Sequence, residues 1–336
     1  MKLDRRQHEE VREGGARPRP APRPRVDHTP RTCALLAVLL TASTNPVAAD
    51  DWTPTSFSAT WENDLFGGLD RHYTNGVELG LSGPVPMQAI SHALGEDSGA
   101  WHLSLAQSIY TPERLEERSL VLDDRPYAGW LRLGLSISHR SRRWLLASRL
   151  GVELGVLGPP SGAEAAQRLF HGPLTDSSPP RGWENQLPTE IGFRFHYELG
   201  YRAWREELLG LDWEVEPRIA FSFGSVRIDA ALGCRLRVGR VPDAYLPSGL
   251  PGLSAFLTLG GRLCAVGHDV FLSGSLIMGG GHRVQPQHLV VDVEVGFTLR
   301  IPGGLSLSYT HTFRTPEFAG QDGHDQFGSL SLSWTW

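Results

Sequence analysis

From about residue 55 to the C-terminus, apolar side chains fall at every second position in one segment after another. Phe57, Ala59 and Trp61 alternate with Ser58, Thr60 and Glu62, and Val77, Leu79 and Leu81 with Glu78, Gly80 and Ser82. Leu131, Leu133, Leu135 and Ile137 alternate with Arg132, Gly134, Ser136 and Ser138. The pattern recurs at Ile191–Leu199 and Val291–Leu299, and the chain ends on Leu330, Leu332, Trp334 and Trp336. A period of two sorts residues onto the two faces of a strand and is out of step with the 3.6-residue helix repeat. The chain is therefore an all-β protein.

One face is apolar and aromatic; the other carries Glu, Arg, His, Ser and Gly. A soluble sandwich would turn the polar face to water, whereas a membrane barrel turns it to the lumen and the apolar face to lipid. Three features select the barrel. The segments run to about ten residues, enough to cross a bilayer when tilted. The polar face is rich in Arg and Glu, which can pair across a narrow lumen. The chain closes on an aromatic in the apolar phase, similar to the C-terminal assembly signal of bacterial outer-membrane barrels. Thirteen segments alternate, but single-chain bacterial barrels use even numbers. The segment around Val270 to Met278 follows Leu257–Ala265 after only Gly267-His268-Asp269, so it reads as a loop excursion. The expectation is a 12-stranded antiparallel transmembrane β-barrel with a short helix in an extracellular loop.

Upstream, Arg31 precedes the apolar run Ala34–Leu40 and the small-residue site Val47-Ala48-Ala49. That run is too short to span a bilayer as a helix and reads as a secretory signal over residues 31–49. Residues 1–30 are an Arg/Pro-rich disordered extension, or translation starts further in; the barrel domain is 50–336. Of the net charge of −5, residues 1–49 contribute +4, leaving −9 on the barrel. An acidic body excludes nucleic acid as the main partner, since phosphate binding needs a basic face. Lys2 is the only lysine, a bias that codon composition explains. Cys234 and Cys264, the cysteines outside the signal, fall on opposite faces of neighbouring strands, so no disulfide is expected.

With the N-terminus on the periplasmic side, residues 65–73, 110–128, 157–189, 222–225, 267–287 and 315–325 form outer loops. Connections near 140–143, 203–210 and 301–304 are the short inner ones; the inner connection 83–100 is longer. Extending the alternation puts Asp64 and Thr74 on the lumen phase of neighbouring strands at the outer rim. Ser161 with Glu164 reads as a capping box for a helix ending at His171, with Gln167 and His171 on one face. A neutral histidine there can act as a general base toward water. Asp64 is either a carboxylate bridging a loop network or a ligand for a hard cation such as Ca2+. Asn63 and Thr74 either orient ligands or water, or cap turns. Asp123-Asp124-Arg125 reads as a salt-bridged turn, Gly76 and Gly129 as points of close backbone approach, and Glu190, Arg194, His196 and Glu198 as lumen ion-pairing groups. Neither a G-x-S-x-G nor an H-E-x-x-H motif occurs.

At these residues the chain resembles the outer-membrane lipid A 3′-O-deacylases over roughly residues 55–336. The resemblance is carried by Glu62-Asn63-Asp64-Leu65-Phe66, Asp70-Arg71-His72-Tyr73-Thr74-Asn75-Gly76 and Asp123-Asp124-Arg125-Pro126-Tyr127-Ala128-Gly129. Gly155 to Pro159, Gln167, His171, Gly182-Trp183, Gln186 and Glu190 complete it. The resemblance implies a monomeric outer-membrane enzyme that uses Ca2+ to hydrolyse the 3′-linked acyloxyacyl group of lipid A (lipopolysaccharide) among the outer-membrane lipids. It implies His171 as general base, Asp64 as Ca2+ ligand, and Asn63 and Thr74 as their partners. Where family members place a lysine in the second loop, this chain has only Arg114, Arg118 and Arg125. Two other functions fit the same barrel: a structural or channel protein, and an outer-membrane phospholipase with a serine nucleophile.

Overall fold

The computed structural model describes residues 52–68, 71–85, 98–171, 180–245 and 252–336, with the side chains of Phe170 and His171 excepted. The extension, the signal segment, Cys33 and Asp70 lie outside these residues. Thirteen antiparallel strands form one sheet: β1 (Ser56–Asn63), β2 (His72–Pro84), β3 (Ser98–Thr111), β4 (Ala128–Ser141), β5 (Leu146–Leu157), β6 (Glu190–Tyr201), β7 (Trp204–Leu208), β8 (Leu211–Gly224), β9 (Arg227–Gly239), β10 (Ser254–Asp269), β11 (Leu289–Arg300), β12 (Leu305–Arg314) and β13 (Asp325–Thr335).

The sheet closes at both of its edges. β1 pairs with β13 from Ser56↔Thr335 to Asn63↔Gly328. β8 pairs with β6 over Arg218–Gly224 and with β7 over Leu211–Val215. β6 and β7 therefore occupy one position in the wall, interrupted at Arg202-Ala203, and the barrel has twelve positions. Closure leaves no long unpaired strand edge in the bilayer, where no water could satisfy it. The segment after β10 is a single helical turn, α2 (Val270–Ser273), followed by a loop, in line with its removal from the strand count.

The apolar phase points outward: Leu79, Leu105, Leu133, Leu154, Phe195, Leu257 and Phe297 are all exposed. The polar phase fills the lumen with ion pairs. Glu153 accepts from Arg132 Nε at 3.1 Å and Arg194 Nε at 2.5 Å. Asp292 accepts from Arg314 Nε at 2.8 Å and Arg262 Nη2 at 2.6 Å. Glu214, fully buried, is shared by Arg202, Arg205 and Arg237. Each carboxylate meets two or three guanidinium groups, so charge inside the tube is compensated. Of the four expected lumen ion-pairing groups, Arg194 and Glu198 pair with Glu153 and Arg218 on other strands, whereas Glu190 and His196 form no salt bridge among the described residues. Cys234 lies opposite Gly261 and Cys264 opposite Ala231, on opposite faces, and both thiols are free.

Side chains pack into the outer mouth. Val270, Phe271 and Leu272 are buried, and Phe271 stacks on Tyr110 with centroids 4.0 Å apart. Beside them Arg125 donates to Glu317 at 2.9 Å.

Candidate site on the outer wall

The site begins where polar residues enter the outward, lipid-facing phase near the outer rim. Pairing across the wall gives one lateral row: His311↔Gly328, Gly328↔Asn63, Asn63↔Asn75, Asn75↔Ile109 and Ile109↔Gly129. In the middle of the bilayer the equivalent rows hold Leu, Val and Phe. Here Asn63 and Asn75 are 6% and 4% exposed, so the wall is covered at this height.

Over β3 and β4 the cover is loop three. A Cβ on Gly129 would lie 2.1 Å from Ser161 Oγ and 2.3 Å from the Ala163 Cβ, so only glycine lets this loop lie so close to β4. Gln107, an outward residue of β3, donates from Nε2 to Ser161 O at 2.6 Å. The helix α1 (Ala163–His171) starts there. Ile109, Leu115, Tyr127, Ala163 and Trp183 form the apolar cluster beneath it. Trp183 Nε1 donates to Gln167 Oε1 at 2.8 Å, fixing the buried middle of the helix.

The expected capping box does not form. Ser161 belongs to a separate turn, Pro159–Ser161, and Gly162 between them has φ of 71°. Ser161 Oγ donates to Gly158 O and accepts weakly from Ala163 N, while Glu164 pairs with Arg168 at 2.6 Å.

Asn63 ends β1, and its Oδ1 accepts from Leu65 N at 2.8 Å, capping the tight turn Asp64–Gly67. Asp64 is therefore in a turn and not on a strand face. It is 2% exposed, and its Oδ2 accepts from Arg71 N at 2.6 Å. Thr74 corrects the alternation. The β2–β3 register slips between Tyr73 and Asn75, making Thr74 the extra residue of a bulge. Its Oγ1 is 2.6 Å from Thr111 Oγ1, on the outward face of β3 that also carries Ile109 and Gln107. The bulge thus moves Thr74 from the lumen phase to the outer wall. Gly76 serves as expected: a Cβ there would meet Tyr73 Oη at 2.2 Å.

Asn63, Asp64 and Thr74 are thereby brought together at the outer ends of β1 and β2. His171 is the last residue of α1; its imidazole lies outside the described side chains. Two strand spacings separate Asn75 from Gly129, about 10 Å, and α1 carries His171 about 12 Å from Ala163.

Asp123-Asp124-Arg125 is structural but not a local salt-bridged turn. Asp123 pairs with Arg114, and Asp124 accepts from Glu113 N and Arg125 N. Arg125 turns inward to Glu317. Burial raises the Asp124 carboxyl, but its hydrogen bond with His72 and those from the two amides hold it below the usual carboxylate range. Burial likewise pushes Glu317 up, and Arg314 and Arg125 outweigh it, holding the carboxyl at about 2. Among the second-loop arginines, Arg125 is thus committed to Glu317, and Arg114 to Asp123 and Glu117.

Thr111, Gln107 and Gln326 were not singled out in the sequence. Gln107 was legible in principle, as a polar residue in the phase of Leu103, Leu105 and Ile109.

The sequence matches the family described as "Outer membrane protein LpxR" over residues 34–336. The chain belongs to the LpxR family. The LpxR structure from Salmonella typhimurium is similar with a TM-score of 0.70 at 19% identity, covering 84% of this chain and 100% of that one. It shares the fold of a closed outer-membrane barrel. The β domain of the Bordetella autotransporter BrkA has a TM-score of 0.44 at 12% identity, covering 84% of this chain and 99% of that one. The translocator domain of NalP from Neisseria meningitidis has a TM-score of 0.40 at 9% identity, covering 91% and 94%. No curated protein sequence matches the chain. As an LpxR family member, this barrel is an outer-membrane protein.

Proposed function

We propose that this LpxR family barrel is a Ca2+-dependent ester hydrolase that removes the 3′-O-linked acyloxyacyl group of lipid A in the outer leaflet. The supporting observation is the row of buried polar residues in the outward, lipid-facing phase of the wall, with α1 packed on β3 and β4 beside it. A substrate in the outer leaflet reaches such a site laterally, without entering the lumen.

The donor set suits a hard cation. Asp64 is a buried carboxylate, and Asn63 and Thr74 add neutral oxygens in a segment rich in chain carbonyls. One carboxylate with amide, hydroxyl and chain carbonyl oxygens is an all-oxygen set of the kind Ca2+ takes, not the nitrogen and sulfur set of zinc. Held by Asp64, Ca2+ supplies positive charge for the oxyanion of the attacked ester.

The chain does the rest. His171 takes a proton from water, which adds to the ester carbonyl. Collapse breaks the acyl–oxygen bond, and the proton passes to the sugar oxygen. The products are a free acyloxyacyl carboxylate and a 3′ hydroxyl. Asn63 and Thr74 orient the water and the ester, and the wall beneath α1 excludes bulk solvent.

The test is to incubate the refolded barrel in detergent with lipid A or with phospholipid, in Ca2+ or in EDTA. Acyloxyacyl release from lipid A in Ca2+ alone is expected. Release that persists in EDTA, or release from phospholipid only, overturns the proposal.

A further inference from the structure

The turn that carries Asp64 is clamped from the strand across the barrel seam. Gln326, the second residue of β13, donates from Nε2 to Gly67 O at 2.5 Å. Its Oε1 lies 3.3 Å from His311 Nε2, and His311 Nδ1 lies 3.1 Å from Tyr309 Oη. An amide oxygen only accepts, so His311 carries its proton on Nε2 and accepts from Tyr309 at Nδ1. The chain of donors then has one direction, from Tyr309 through His311 and Gln326 to the Gly67 carbonyl. On the face turned toward lipid, such a chain is held more strongly than it would be in water.

Two glycines make the contact possible. A Cβ on Gly67 would lie 2.5 Å from Gln326 Cγ and 2.9 Å from its carbonyl oxygen. A Cβ on Gly328 would lie 2.6 Å from the Phe66 Cβ. Phe66 fills that space and meets Trp61 and Tyr309 edge-on, at centroid distances of 5.0 and 5.8 Å. Phe66 and Gly67 are thus seated on β12 and β13. Asp64 lies only two and three residues away in the same turn, so a shift of Gly67 carries the carboxylate with it.

We propose that Gln326, braced by His311, is a positioning residue that sets the cation affinity of the Asp64 turn. The proposal rests on the Ca2+ reading above. A residue of this kind touches neither substrate nor metal, and its loss typically costs about 10- to 100-fold in metal affinity.

Calcium binding to the purified, refolded barrel is measured by titration calorimetry for wild type, Gln326→Ala, Gln326→Met and Asp64→Asn. Activity is measured against Ca2+ concentration on the same samples, and heat-modifiable gel migration reports folding. Both Gln326 variants are expected to migrate as folded barrels, to bind Ca2+ about tenfold or more weakly, and to keep the wild-type rate at saturating Ca2+. Gln326→Met keeps the length of the side chain but not its amide. Wild-type affinity in that variant would show that packing alone suffices and would overturn the proposal, as would wild-type affinity in Gln326→Ala. A wild-type barrel that binds no Ca2+ would instead remove the cation reading and the proposal together. Loss of binding in Asp64→Asn alone leaves the cation reading standing and removes only the role of Gln326.

Discussion

Arg125 Nη2 donates to Glu317 Oε2 at 2.9 Å, joining two outer loops 192 residues apart in a pair that is almost fully buried. The Arg125 guanidinium also lies over the rings of Tyr110 and Phe318, at 5.4 and 5.8 Å. Arg314 reaches the second oxygen of Glu317 at 3.3 Å. The loops are therefore tied across the mouth of the barrel. Removing the carboxylate strands the buried Arg125 cation, while Arg314 keeps Asp292, and leaving one buried charge unpaired costs about 3–5 kcal/mol. Glu317→Ala is expected to unfold at a lower temperature in heat-modifiable gel migration and to expose its outer loops to protease. Wild-type behaviour in both assays would show that the pair does not hold the mouth.

The same pair sets an acid limit. The Glu317 carboxyl is held at about 2, below its ordinary 4.5, so its stabilising contribution is complete above about pH 4.5 and is lost as the pH falls toward 2. Barrel stability is expected to change little from pH 7 to 5 and to fall below that. Glu317→Gln is expected to be less stable at neutral pH and to show a shallower acid loss. An unchanged profile in Glu317→Gln contradicts the assignment.

Gly129 is the seat of α1 on the wall. Gly129→Val places a branched side chain where Ser161 and Ala163 now lie. Valine suits a strand, so the barrel is expected to fold and insert. The helix must lift, and lipid A hydrolysis is expected to fall by about 100-fold, the cost of a displacement near 1 Å at a reacting centre. Full activity would mean that α1 does not depend on this contact.

Asp64→Asn removes the carboxylate but keeps the size of the side chain. Its product release is expected to be small and to lose its dependence on added Ca2+, with gel migration unchanged. Retention of Ca2+-dependent release at the wild-type level would exclude Asp64 as the ligand.

The barrel was largely legible in the sequence because a half-buried strand must alternate. That rule gave most strand segments and connections, but the inner connection expected near 203–210 is the strand β7 and a tight turn at Leu209-Gly210, and Val270–Met278 leaves the count because such barrels use even strand numbers. It failed where geometry departs from the period. The bulge at Thr74 leaves no mark in Tyr73-Thr74-Asn75, yet it moves a candidate residue from the lumen to the outer wall. The break at Arg202-Ala203 reads as the start of a connection, yet the chain resumes as β7 and pairs with β8 in the same wall position. Long-range pairing was hidden for a different reason. Asp123-Asp124-Arg125 reads as self-satisfied, but the partner of Arg125 is set by barrel closure. Gln326 and His311 acquire their meaning only because closure places β13 beside β1.

We propose above that the outer-wall site hydrolyses lipid A with His171 as its base. The most direct measurement is mass spectrometry of lipid A from cells producing the wild-type barrel or His171→Ala, each shown to be folded in the outer membrane. Lipid A lacking one acyloxyacyl group is expected in wild type, with His171→Ala at background, since losing a general base costs about 10²- to 10⁴-fold. Unmodified lipid A in the wild-type cells, or equal deacylation by His171→Ala, would contradict it.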